Sequence, residues 1–401
     1  MIKKIPLLNN IVIYLDRLDF LICWLVIKLT RKISRQNNFV NPKNIILLRN
    51  CFFGDFIVSI PAIKLLKAKF PNSKIILLTS KSFNKDALKF KRPDGIYNLE
   101  KNLLDEIIEY DNSIMKSFNQ YLKLKKKLSF YKDISVVDLD FSGAGFRRKL
   151  KRIILCFGLK LPQPFGNLKN KPLIFQESLN KYRINRKDIN HQYKSCILSV
   201  SELIEQNKIN FVYEEYLKKI EKRNNLFIKD KVAFKIGIAP FSKIKIKEWP
   251  LQNYSKVINN LSDKIEMQIF IYGTLEDEEK GKYLIDSIKI EKKNKINYCG
   301  KLSPNELNRH IKQINLLICI DSAPMHIACL NSIPVVSVFS QLCPHQFWEP
   351  WSANSIILSK RKKCTQQEIK AGFCEMGFSM QTNLIKPYEL QEAILKKLNI
   401  D

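Results

Sequence analysis

Glycine and proline are scarce in this chain of 401 residues, with 12 and 16 copies, which excludes collagen-like and low-complexity architectures. Acidic residues are few beside basic ones: 38 Asp+Glu against 68 Lys+Arg leave a net charge of +30. There is no C-x-x-C pair among the 10 cysteines, and most of them lie in apolar runs such as Leu317-Ile318-Cys319-Ile320. That is the pattern of buried free thiols in a reducing compartment. Cys364 and Cys374, near the end, make a poor metal site without a nearby histidine. Near the N-terminus the longest clean apolar run is Phe20 to Ile27, far short of the roughly 20 residues of a spanning helix. A small-residue cleavage site is missing there too.

What is present supports large cores, because apolar residues make up 45% and charged residues 26% of the chain. The length suits two domains of roughly 150–200 residues. Lysine, isoleucine and asparagine are abundant throughout, so compositional drift accounts for part of the charge. The remainder favours an anionic partner: nucleic acid, a membrane surface or a phosphorylated substrate. Trp24, followed by Lys28, Arg31, Lys32 and Arg35, suits an amphipathic helix over anionic lipid. Residues 1–40 are therefore read as a membrane-associating segment, the alternative being a helix packed on the protein's own surface.

From Asn41 the pattern is α/β. Asn44–Arg49 reads as a buried strand, the stretch after Gly54-Asp55 as a helix to about Lys69, and Lys74–Thr79 as a second strand. Residues 105–131 read as a lysine-rich helix and Ile134–Leu139 as a strand. The stretch 165–230 is polar and weakly patterned, with the domain junction near 215–232. A second βαβ series follows: strands at 234–239, 267–272, 316–320 and 335–339, and helices at 253–262, 276–289, 303–313, from 324, and at 387–398. Two Rossmann-like domains, 41–225 and 226–401, are expected to face a central cleft.

Three loops at strand ends carry unusual residues. In Cys51-Phe52-Phe53-Gly54-Asp55, glycine permits a tight turn and Asp55 stands at a helix start, as a cap or as a proton acceptor. Pro240-Phe241-Ser242 is followed by Lys243, Lys245 and Lys247, either a diphosphate clamp or a solvated lysine loop, and Pro250 is placed to open the next helix. In Asp321-Ser322-Ala323-Pro324-Met325-His326, Pro324 suits the first helical position and Asp321 or Ser322 the cap. Backbone N–H groups would then face phosphate oxygens, with His326 projecting from the first turn. Asp138-Leu139-Asp140 also follows a strand and is a D-x-D metal pattern; three-residue patterns arise often by chance.

Taken together, the run from Asn44 to Thr79 with APFSKIKIKEWP, IFIYGTLEDEE and LICIDSAPMHIACLNSIPVVSVF resembles glycosyltransferase family 9, the ADP-heptose:lipopolysaccharide heptosyltransferases. The resemblance covers about 44–160 and 232–350. It implies a GT-B fold and an inverting transfer without metal or other cofactor. It implies a nucleotide-sugar donor, ADP-heptose, held by the second domain, and a glycolipid acceptor, the lipopolysaccharide inner core, on the first. By position, Asp55 matches the catalytic base, and Ser242 and Lys247 match the groups on the donor phosphates. Glu276 matches the ribose contact, with Asp277 as the alternative register. Asp321, Ser322, Ala323, Pro324, Met325 and His326 match the phosphate- and sugar-binding loop. Phe241 and Ala323 replace usual glycines, so the space near the phosphates is expected to be narrower. The implied location is cytoplasmic, peripheral on the inner membrane's cytoplasmic face.

Three rival readings remain. A nucleotide-sugar epimerase or hydrolase would need no acceptor, and an inactive glycan-binding relative would fit the lost glycines. A nucleic-acid binder would fit the charge, but arginine-rich segments, aromatic-interleaved basic motifs and zinc spacing are missing. Nucleic acid is not an expected partner.

Overall fold

A computed structural model describes residues 41–81, 97, 99–100, 102–111, 117–139, 152, 154–162, 164, 192–212, 215–216, 218–219, 233–339, 348–352, 354–363, 378–380 and 382–400. The first domain holds a parallel sheet of β1 (Asn44–Leu48), β2 (Lys74–Ser80), β3 (Glu106–Tyr110) and β4 (Ile134–Asp138), in the order β3-β2-β1-β4. Central β1 is buried on both faces, as its unbroken apolar run requires. Helix α1 (Phe53–Lys69) carries β1 over to β2 and buries Phe56, Ile57, Ile60 and Ile63. Inside it, the Pro61 carbonyl accepts from Tyr216 Oη at 2.9 Å. Helices α2 (Phe118–Leu128) and α3 (Gln192–Gln206) also belong to this domain.

The second domain has a parallel sheet of β5 (Phe234–Ala239), β6 (Met267–Ile271), β7 (Lys295–Asn297), β8 (Leu316–Cys319), β9 (Val335–Val338) and β10 (Ser355–Leu358). Their order is β10-β9-β8-β5-β6-β7, and β11 (Arg361–Lys363) pairs with β12 (Phe378–Met380) in a separate antiparallel ribbon. Helices α4 (Leu251–Ser262), α5 (Glu278–Ser287), α6 (Pro304–Ile311), α7 (Ala323–Leu330) and α8 (Pro387–Leu398) cover it.

The expected helix at 105–131 is corrected. Glu106–Tyr110 is a strand at the sheet's edge, and only 118–128 is helical. An edge strand tolerates charge, and Glu106 is held by Lys74 at 2.8 Å and Lys127 at 3.5 Å. Strands β7 and β10, also at edges, escape the sequence pattern for the same reason: their residues are only partly buried or exposed. The weakly patterned stretch 165–230 contains α3. Segment 1–40, with its expected interfacial helix, lies outside the described residues, as do Asp140, Cys364 and Cys374. Among the described residues no helix is long and apolar enough to cross a membrane.

The two domains share one apolar cluster. It joins Phe56, Ile60, Tyr193 and Val200 of the first to Met325, Ile327, Phe339 and Trp351 of the second. Helix α1 packs against both α3 and α7. Asn308 Nδ2 of α6 donates to the Leu99 carbonyl of the first domain at 3.2 Å.

Candidate active site

The base of the cleft is built from the first turns of α1 and α7. A β-carbon placed on Gly54 would lie 3.5 Å from His326 Cδ2 and 3.7 Å from Ala323 Cα. Gly54 therefore does not form the expected tight turn. It is the second residue of α1 and faces the other domain's loop at ordinary contact distance. Asp55 is the third residue rather than the cap. Phe52 takes the cap position, and Asp55 Oδ2 accepts its N–H at 3.3 Å.

Burial pushes the Asp55 carboxyl above its usual range, and Asp321 adds to this; Arg49, the Phe52 N–H and Lys247 pull the other way. A buried carboxylate with a raised pKa is a competent proton acceptor. Arg49, which the sequence reading passed over, is 3% exposed. Its guanidinium donates to the Leu139 carbonyl and, at 2.8 Å, to the backbone carbonyl of Asp55. One side chain thus ties the ends of β1 and β4 to the first turn of α1. An arginine ending an apolar strand was the available signal. Burial pushes the neighbouring Cys51 thiol up to about 12, so it is neutral and no nucleophile.

The loop after β5 is organised by Glu248, a second residue missed from sequence. Its Oε1 accepts the Ser242 N–H at 3.0 Å and lies 3.5 Å from Lys245 and 3.4 Å from Lys280. Ser242 Oγ in turn accepts the Ile244 N–H at 3.1 Å. Lys247 reaches across to Asp321, Nζ to Oδ2 at 2.5 Å, with 21% and 8% of the two side chains exposed. Lys243 Nζ lies 5.9 Å from the Phe52 ring of the other domain. Pro250 sits at the cap of α4, one residue before the helix it was expected to open.

Phe241 does not narrow the phosphate space as expected. Its ring is 7% exposed in the core of the second domain. It packs where a Gly273 side chain would otherwise be: a β-carbon there would lie 2.8 Å from Phe241 Cδ2. Lys280 covers the ring at 5.5 Å.

In the third loop, Ser322 takes the cap position of α7, but its Oγ donates to the Ile320 carbonyl at 3.3 Å instead of capping. Pro324 is the second helical residue, not the first, because α7 begins at Ala323. Met325 is fully buried in the shared apolar cluster, and its backbone N–H donates to the Ser322 carbonyl at 3.1 Å. His326 does not project into the cleft either: it is 2% exposed and stacks on Trp351, centroids 5.3 Å apart and planes at 12°. Trp351 in turn meets Tyr193 of the first domain at 5.5 Å. Burial, helped by Lys247, holds the imidazole pKa down at about 3, so the ring is neutral. Burial also raises the Asp321 carboxyl, while Lys247 lowers it.

Glu276 lies outside this cluster, exposed on a single 3-10 turn after β6. Asp277, the alternative register, is engaged locally, its Oδ2 accepting from Thr274 N at 2.9 Å and Oγ1 at 2.7 Å. Lys280 links this turn to the Glu248 loop, 3.8 Å from Asp277. Asp138 of the D-x-D pattern is paired with the Arg152 guanidinium. Among the described residues no group of three or more His, Cys, Asp or Glu is arranged to hold a metal ion.

Residues 178–373 match the model of glycosyltransferase family 9 (heptosyltransferase). Lipooligosaccharide heptosyltransferase 2 of Campylobacter jejuni is 26% identical over 75% of this chain and 82% of its own length. Lipopolysaccharide heptosyltransferase 3 of Escherichia coli is 25% identical over 76% and 84%. The fold matches a family 9 glycosyl transferase of Veillonella parvula at a TM-score of 0.60, with 17% identity, over 89% of this chain and 97% of that one. It also matches E. coli ADP-heptose lps heptosyltransferase II at 0.55, with 16% identity, over 89% and 98%. Both likenesses establish the two-domain GT-B architecture.

Proposed function

We propose that the chain, which is similar to glycosyltransferase family 9, is a glycosyltransferase that carries out an inverting, metal-independent transfer of heptose from ADP-heptose to a lipopolysaccharide-core acceptor. The observation that carries the mechanism is the buried Asp55, with its raised pKa, opposite the Lys247–Asp321 pair of the other domain. Asp55 takes the proton of the acceptor hydroxyl as that oxygen forms its bond to the anomeric carbon. The bond from this carbon to the diphosphate breaks on the opposite face, and its electron pair leaves with ADP. Lys247 and the Ser242 loop offset the charge that develops on the diphosphate, the role a metal ion would otherwise fill. Glu276 is the proposed ribose contact.

The choice of sugar and acceptor rests on the relatives, whose names specify heptosyl transfer to lipooligosaccharide or lipopolysaccharide. With a glycolipid acceptor, the proposed location is the cytoplasmic face of the inner membrane, where the basic surface and segment 1–40 would hold the enzyme.

The test is incubation with ADP-heptose and a heptose-deficient lipopolysaccharide core, following ADP release and the product's anomeric configuration by NMR. Acceptor-dependent ADP release with inverted configuration is expected, undiminished by EDTA. ADP release independent of acceptor would overturn the reading in favour of a hydrolase.

A further inference from the structure

The first sheet has one face turned toward α1 and the second domain. Its other face is covered by α2 and a helical turn at 154–158, which share an apolar cluster confined to this domain. Helix α2 turns Leu124 and Leu128 inward. On its outer face Phe118 and Leu122, one turn apart, are 72% and 43% exposed, and Phe130 just past the helix is 75% exposed. The turn beside it exposes Ile154 at 36% and Phe157 at 45%. Tyr121 binds the two pieces into one surface, stacking on Phe118 at 6.3 Å and donating its hydroxyl to the Gly158 carbonyl.

Single exposed apolar side chains need no explanation, but a cluster in a lysine-rich setting does. Residues 118–128 and 154–160 include five lysines and no aspartate or glutamate. Lys127 is committed to Glu106 at 3.5 Å and Lys125 lies over the Tyr121 ring at 5.5 Å. Lys123, Lys126 and Lys160 are exposed around the apolar tips.

We propose that this face docks the first domain on an anionic lipid bilayer. Phe118, Leu122 and Phe157 enter the boundary between headgroups and acyl chains, and Lys123, Lys126 and Lys160 meet the lipid phosphates. Large apolar tips set among exposed lysines, in two segments that carry no acidic side chain of their own, complement such a surface in both charge and polarity. This contact is additional to segment 1–40 and is independent of the sugar transferred.

The test uses the full chain and flotation with vesicles of phosphatidylethanolamine and phosphatidylglycerol, with phosphatidylcholine vesicles as the uncharged comparison. Combined Phe118→Ser, Leu122→Ser and Phe157→Ser should lower partitioning onto the anionic vesicles by about tenfold or more. Combined Lys123→Glu, Lys126→Glu and Lys160→Glu should do the same and flatten the salt dependence. All six positions are exposed, so thermal unfolding and turnover on a lipid-free acceptor should not change in either variant. Turnover thereby reports on the catalytic reading separately. Undiminished flotation of the serine variant would overturn the proposal. So would light scattering that found a dimer in the unmutated chain and a monomer in the serine variant, since the face would then be a self-contact.

Discussion

Lys247 Nζ sits 2.5 Å from Asp321 Oδ2, and both groups bear on the charge of Asp55 across the domain boundary. Before donor binds, the cleft base thus holds two buried carboxyls and one ammonium, beside a neutral imidazole. In the proposed mechanism, Asp321 holds the ammonium where the donor diphosphate would bind. Because the pair is largely buried, removing one partner strands the other.

Lys247→Ala should therefore weaken ADP binding by about 1.5–3 kcal/mol, the scale of a charge-assisted hydrogen bond. Lys245→Ala should matter much less, because that side chain is 70% exposed and contacts Glu248 at only 3.5 Å. Calorimetric titration of ADP into each variant checks this, and equal losses would indicate a diffuse basic surface. Adding Asp321→Asn to Lys247→Ala should recover stability without recovering affinity.

His326 sets a pH dependence of stability. Its folded pKa, about 3, lies below the ordinary 6.5, so the unfolded chain takes up the proton first. The contribution is full above pH 6.5 and is lost as pH falls toward 3. Asp55 and Asp321, both raised, act with the opposite slope, since their folded forms protonate before the unfolded ones. His326→Phe keeps a ring on Trp351 and removes the titration. Urea melts at pH 7 and pH 4.5 should show the variant losing less stability on acidification, by about 2–3 kcal/mol.

The sequence made the two βαβ series legible because central parallel strands are apolar on both faces, as in Ile45–Leu48 and Leu316–Cys319. Edge strands have one solvated side: Glu106–Tyr110 carries a helix-like mix of charges and reads as helix, while Lys295–Asn297 and Ser355–Leu358 give no pattern. The loops of the site were legible as motifs, but the direction of each side chain was not. Met325 and His326 turn into the core, and Glu248 turns inward to hold Ser242. Such directions depend on contacts between segments far apart in the chain, Tyr193 with Trp351 or Gly54 with Ala323, and these leave no local pattern.

Phe241 gives a sharper check on that point. A ring in the phosphate space would make Phe241→Ala tighten nucleotide binding. A ring packed on Gly273 in the core makes the same change a cavity, costing about 3–5 kcal/mol of stability. The expected result is a large drop in thermal midpoint with ADP affinity little altered in the folded protein.

Asp55→Asn separates chemistry from helix capping. The asparagine oxygen can still accept the Phe52 N–H that Asp55 holds at 3.3 Å, so α1 keeps its first turn. Burial already disfavours the carboxylate, so at pH 7 the variant should be as stable as the unmutated chain or more so. That advantage should shrink as pH falls through the raised folded pKa of Asp55 toward its ordinary value. An amide cannot take the acceptor's proton, and turnover should fall by about a hundredfold or more. In the unmutated enzyme the rate should fall on acidification as Asp55 protonates, and this limb of the profile should vanish from the residual activity of Asp55→Asn. ADP affinity should hold or rise slightly, since a negative charge near Lys247 is gone. Steady-state rates with calorimetry and urea melts cover all of these. Full turnover in Asp55→Asn would reduce Asp55 to a cap, and the proton would need another acceptor.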